Sequence, residues 1–166
     1  TAVTASIADA DGLGGFAYQW LRNGASIAGA TASTYVLGDA DVGTSISLRV
    51  SYTDLNSTAE TLTSATVGAV ANVNDLPTGL PTISGTATED QTLTAVTAGT
   101  ADADGLGRFS VQWLRNGSSI AGATAGTYTL ADADVGTNIS VQVSWTDGQG
   151  TAESLTSLAV GPATNI

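Results

Sequence analysis

Two stretches of the chain alternate apolar and polar residues without a break. In SISLRVSYT (residues 45–53) the positions Ile46, Leu48, Val50 and Tyr52 fall on one face. NISVQVSWT (residues 138–146) repeats the arrangement with Ile139, Val141, Val143 and Trp145. A period of two is the mark of a strand with one buried face. FAYQWLR (16–22) and FSVQWLR (109–115) alternate around Trp20 and Trp113, and each runs into an Asn-Gly pair, Asn23 with Gly24 and Asn116 with Gly117. Both central residues of a type I′ hairpin turn need positive φ, which Asn and Gly adopt readily. Enrichment in Thr, Val and Tyr supports strands, and helical periodicity never persists beyond one or two turns. Short strands with turn signals at about ten-residue spacing predict an antiparallel β-sandwich.

The pattern occurs twice because the chain is duplicated. DADGLG at residues 9–14 recurs at residues 102–107, a displacement of 102 − 9 = 93 positions that superposes the chain on itself without a gap. Most positions between residues 9–44 and 102–137 are identical. A solenoid unit spans only about 20–50 residues, so a repeat of this length predicts two tandem domains, 1–74 and 75–166. The boundary falls in VANVNDLPTGLP (70–81), where Pro77 and Pro81 favour an extended connector. The second repeat carries PTISGTATEDQTL (81–93) ahead of its copy of Thr1, and the first has no counterpart, so the first domain is expected to lack its initial strand. That absence reads as a cut from a longer repeat array; the alternative is a strand donated in trans by another chain.

Composition narrows the function. Fifteen acidic residues stand against four arginines and no lysine, for a formal net charge of −11. Nucleic acid and anionic membranes both require a basic patch, which this chain does not have. Cys, His and Met are absent, which excludes disulfides, thiolate and imidazole metal ligands, and the usual nucleophile–base pairs. Without Lys there is no Schiff-base or Lys–Asn isopeptide chemistry. No apolar run approaches the ~20 residues of a bilayer span, and an export signal, if the protein is secreted, is expected outside this segment. Glu60 and Glu153 sit beside Asp54 and Asp147, but both recur at the start of the last strand of their repeat, where a solvated edge residue is the ordinary reading.

The motif YQWLRNG, followed by I-x-G-A-T and DADVGT, resembles the immunoglobulin-like repeats of large bacterial surface proteins of the biofilm-adhesin kind. Trp20 and Trp113 match the core tryptophan of the third strand in such sandwiches. Leu37, Asp41 and Gly43, with Leu130, Asp134 and Gly136, match the corner before the sixth strand. Two features depart from antibody domains: the cysteines are absent, and Ile46 and Ile139 stand where the corner tyrosine belongs. The resemblance covers nearly the whole chain. It implies an all-β fold of two tandem immunoglobulin-like domains on a bacterial cell surface or in another extracellular setting.

The twelve aspartates all fall in predicted loops or at strand ends. Asp41 and Asp134 suit a structural role, satisfying local N–H groups or Arg22 and Arg115. The DADG loops suit Ca²⁺, a hard cation that takes six to eight oxygens from carboxylates and carbonyls. The sandwich topology implied by the resemblance gathers Asp102, Asp104 and Asp147 at the end where the chain enters the second domain, and the connector adds Asn74 and Asp75. Asp9, Asp11 and Asp54 form the equivalent set on the first domain. Calcium at the joint between repeats is therefore expected. The expected function is a spacer repeat whose partners are neighbouring repeats of the same protein. A filament subunit that stacks with other copies, and a ligand-binding adhesion module, are the competing readings. Loop aromatics suited to sugar binding are scarce, because the tryptophans lie within strands.

Overall fold

A computed structural model describes residues 1–166, and the fold is all-β with antiparallel sheets. The chain divides into two compact units, Thr1–Val73 and Asn74–Ile166.

Unit 1 contains β1 (Ala17–Arg22), β2 (Ala25–Ser26), β3 (Ile46–Thr53) and β4 (Ala59–Thr63), in one sheet of order β2-β1-β3-β4. β1 and β3 pair through Trp20 with Leu48 and Tyr18 with Val50. The alternating face of β3 is the buried one, with Ile46, Leu48, Val50 and Tyr52 all buried. Asn23 and Gly24 turn β1 into β2 with φ of 46° and 82°, as the type I′ geometry requires.

Unit 2 contains β5 (Thr82–Ser84), β6 (Thr92–Val96), β7 (Ser110–Arg115), β8 (Ser118–Ser119), β9 (Thr127–Thr129), β10 (Ile139–Thr146) and β11 (Ala152–Thr156). Its four-stranded sheet, β11-β10-β7-β8, repeats the sheet of unit 1, and a second sheet, β5-β6-β9, is added. The core of unit 2 draws on both sheets. Leu93 from β6 meets Trp113 from β7 and Ile139 and Val141 from β10, with Leu130 and Ala163 closing the cluster. Leu93, Trp113, Ile139 and Val141 are fully enclosed. Fully burying such side chains is worth ~1.5–3 kcal/mol each, so this layer dominates the stability of unit 2.

The same brace holds both units beneath the core. A short 3-10 turn, Asp39–Asp41 or Asp132–Asp134, delivers a buried carboxylate to an arginine at the end of the Trp-bearing strand. Arg22 Nε and Nη2 reach Asp41 Oδ1 at 2.8 and 2.7 Å, and Arg115 reaches Asp134 Oδ1 at 2.7 Å through both atoms. Tyr35 and Tyr128 stack on Trp20 and Trp113 and donate their hydroxyls to the same carboxylates. Burial alone pushes the Asp134 carboxyl up, but Arg115, the Ala131 N–H and Tyr128 together hold it below its ordinary value. Asp41 is lowered in the same way by Gly38 N–H, Arg22 and Tyr35.

Candidate cation-binding loops

The first DADGLG loop is shaped by its two glycines and its first aspartate. Asp9 Oδ1 accepts the Asp11 N–H at 2.9 Å, and the Gly12 N–H reaches Asp9 O at 3.2 Å, closing a tight turn. Gly12 has φ of +88°, a left-handed conformation that L side chains rarely adopt. At Gly14 the constraint is space, because a Cβ there would lie 2.0 Å from the carbonyl oxygen of Thr53. The loop therefore lies flush against the end of β3, and Leu55 N–H bonds Asp11 O at 3.2 Å. The next loop begins at Asp54, which is 6% exposed and accepts the N–H groups of Asn56 (2.9 Å) and Thr58 (2.7 Å) on one oxygen, Oδ1.

These contacts bring Asp9, Asp11 and Asp54 together, with one carboxylate oxygen of each within 4.8 Å of the others. Two oxygens bound to one Ca²⁺ at ~2.4 Å are at most ~4.8 Å apart, so the spacing suits a shared ion. Tyr52, the last inward residue of β3, donates its hydroxyl to Asp9 Oδ2 at 2.9 Å. The bond to Asp9, burial, and the charges of Asp9, Glu60 and Asp54 push the phenol from 10.0 up to about 12.

The second loop is built alike. Asp104 N–H bonds Asp102 Oδ1 at 3.0 Å, and a Cβ on Gly107 would lie 2.0 Å from Thr146 O. Gly148 N–H bonds Asp104 O at 3.0 Å, which joins this loop to the one that Asp147 opens. Asp147 Oδ1 accepts Gln149 and Thr151 N–H at 2.8 and 2.7 Å. The Asp75 N–H bonds Asp104 Oδ2 at 2.8 Å, and Asn74 Nδ2 donates to Glu153 Oε1 at 2.8 Å. Asp104 and Asp147 are each 7% exposed.

One residue distinguishes the two loops chemically. Trp145 occupies the position of Tyr52 and brings no hydroxyl. Asp102 Oδ2, the counterpart of the oxygen that Tyr52 binds, is enclosed and has no hydrogen-bond donor, and so is Asp147 Oδ2. A buried carboxylate oxygen without a donor is costly, and the enclosed Trp145 Nε1 likewise has no partner.

Sequence reasoning named all eight of these residues as candidates. The structure gathers the carboxylates of Asp9, Asp11 and Asp54 but does not bring those of Asp102, Asp104 and Asp147 within the same distance of one another; Asp75 and Asp102 are tied to Asp104 by N–H-to-carboxylate bonds, and Asp147 only through its neighbour Gly148. It turns the amide nitrogen of Asn74 to Glu153. What the sequence reading left out is Tyr52, although its place as the last inward residue before Asp54 is a usable signal. No family model and no curated protein matches the chain.

Proposed function

We propose that this chain is a pair of structural spacer repeats from an extracellular bacterial surface protein, immunoglobulin-like in fold and stiffened by Ca²⁺ bound at its acidic loops. The observation that carries the cation is the convergence of Asp9, Asp11 and Asp54 to within 4.8 Å, without a basic side chain bonded to any of them. A pair of charges at that distance repels by ~1 kcal/mol in open water and ~3 kcal/mol at an effective dielectric of ~20. A bound cation reverses the sign of that energy. In the second repeat, Asp102 and Asp147 supply enclosed oxygens without donors, and Asp104, bonded to Asp102 through its N–H, accepts the Asp75 N–H.

Chain connectivity makes the second cluster mechanically relevant. Asn74 and Asp75 are the first residues of unit 2 and follow Val73 directly. An ion that takes in this segment shortens the free connector between repeats. The spacer role itself rests on the duplication, on the acidic surface, and on the lack of His, Cys and Lys for catalysis.

The test is a calcium titration of the intact chain to millimolar levels, since extracellular modules bind at ~10⁻⁴–10⁻³ M. Calorimetry should register binding, the thermal midpoint should rise, and small-angle scattering should narrow the distribution of interdomain distances. Unchanged midpoint and scattering at 10-fold excess over that range, ~10⁻² M, would overturn the proposal.

A further inference from the structure

The loop between β3 and β4 of unit 1 presents two side chains that its fold does not use. Asp54 closes residues 54–58 through the main chain. Its Oδ1 accepts the N–H groups of Asn56 and Thr58, its own N–H bonds Thr58 O at 2.9 Å, and the Ser57 N–H reaches Asp54 O at 3.2 Å. The Asn56 carboxamide and the Thr58 hydroxyl make no hydrogen bond, and residues 55–59 are exposed. Unit 2 builds the same loop without the asparagine. Gln149 stands in its place (56 + 93 = 149), and its N–H bonds Asp147 Oδ1 as that of Asn56 bonds Asp54. The loop frame therefore does not require a carboxamide on this short stem.

Asn56, Ser57 and Thr58 form an Asn-x-Thr triplet with no proline at its centre, the acceptor pattern for N-linked glycosylation. The chain has two more triplets of this kind, Asn116-Gly117-Ser118 and Asn138-Ile139-Ser140. Both are engaged by the fold. Asn116 Oδ1 accepts the Asn138 N–H at 2.9 Å, which fixes the carboxamide across two strand ends. Ile139 and Ser140 are buried in β10 and pair with β7. Of the three triplets, the one at Asn56 alone combines exposure along its whole length with a free carboxamide and a free hydroxyl.

We infer that Asn56 is a glycan acceptor, modified on its carboxamide nitrogen in the folded protein. The donor is a sugar activated as a diphosphate, linked to a lipid or to a nucleotide. Transfer forms a bond from Nδ2 to the anomeric carbon and breaks the bond from that carbon to the diphosphate oxygen. The diphosphate leaves, and Nδ2 loses one proton. The inference rests on the extracellular reading above, since such acceptors belong to surface loops of secreted proteins. It is independent of calcium.

The experiment uses the intact, folded protein in two arms. One supplies a lipid-diphosphate-linked oligosaccharide with its membrane transferase, the other a nucleotide-diphosphate sugar with a soluble N-glycosyltransferase. Peptide mass spectrometry reads occupancy at all three asparagines, each normalised to the same triplet in a free peptide. Asn138 becomes available only on unfolding, in ~10⁻³ or fewer of the molecules. The expected result is occupancy at Asn56 at least ~10-fold above that at Asn116 and Asn138, with the productive arm identifying the donor. Asn56→Gln and Thr58→Ala should each abolish it without shifting the thermal midpoint. No sugar on Asn56 in either arm would overturn the inference, and so would equal normalised occupancy at the three asparagines. Both of those results leave the spacer reading and its calcium titration standing, so the two readings fail separately.

Discussion

Replacing Asp134 with asparagine removes the charge from the brace of unit 2 while keeping its shape. In the native fold the carboxylate accepts Arg115 through Nε and Nη2 on Oδ1, and the Tyr128 hydroxyl (2.8 Å) and Ala131 N–H (2.9 Å) on Oδ2. Asp134 is fully enclosed, whereas the Arg115 side chain is 31% exposed. Breaking a fully buried pair costs ~3–5 kcal/mol. Water can reach Arg115 once it is released, so the cost here falls nearer 2–3 kcal/mol. For a domain of under 100 residues that is a drop of ~10–20 °C in the unfolding midpoint of unit 2. Differential scanning calorimetry of the intact chain reads it, with unit 1 as the internal reference.

The variant should also change the acid profile. The folded Asp134 lies below its ordinary value of 3.8, so its contribution is fully present above that value and is lost as the pH falls through the lower, folded one. Asp134→Asn should remove this slope on the acid side of 3.8. A loss under ~0.5 kcal/mol, with an unchanged acid profile, would refute the claim that the brace stabilises the unit.

Two further outcomes follow from the loop geometry. Gly107→Ala places a Cβ 2.0 Å from Thr146 O; backbone has to move, and chemical denaturation should show a loss of ~1–3 kcal/mol. Asp9→Asn removes the charge that Tyr52 faces, so the phenol should fall from about 12 toward 10.0, read by NMR titration of the Tyr52 ring.

The legible parts of the fold were those written in local pattern. Alternation in β3 and β10 identified the buried faces, and Asn-Gly located the hairpins. The limit is clearest at residues 34–36 and 127–129, Thr-Tyr-Val and Thr-Tyr-Thr. Nearly the same local sequence forms β9 in unit 2 and no strand in unit 1, because a strand requires a partner and only unit 2 has β6 beside it. Tyr35 and Tyr128 were equally hidden as brace members, since their stacking on Trp20 and Trp113 depends on contacts many residues apart. In the acidic loops, D-x-D spacing nominated Asp9, Asp11, Asp102 and Asp104, and the topology implied by the resemblance added Asp54, Asp75 and Asp147. Neither showed that Tyr52 occupies Oδ2 of Asp9 while the corresponding Oδ2 of Asp102, beside Trp145 in the place of Tyr52, has no donor.

The central claim is that the acidic loops hold calcium. A crystal structure of the protein grown in millimolar CaCl₂, with anomalous scattering data, tests it at both loops at once. The expected result is an anomalous peak ~2.3–2.6 Å from oxygens of Asp9, Asp11 and Asp54, with a second beside Asp102 and Asp147. Well-ordered carboxylates with no anomalous signal at either loop would contradict it.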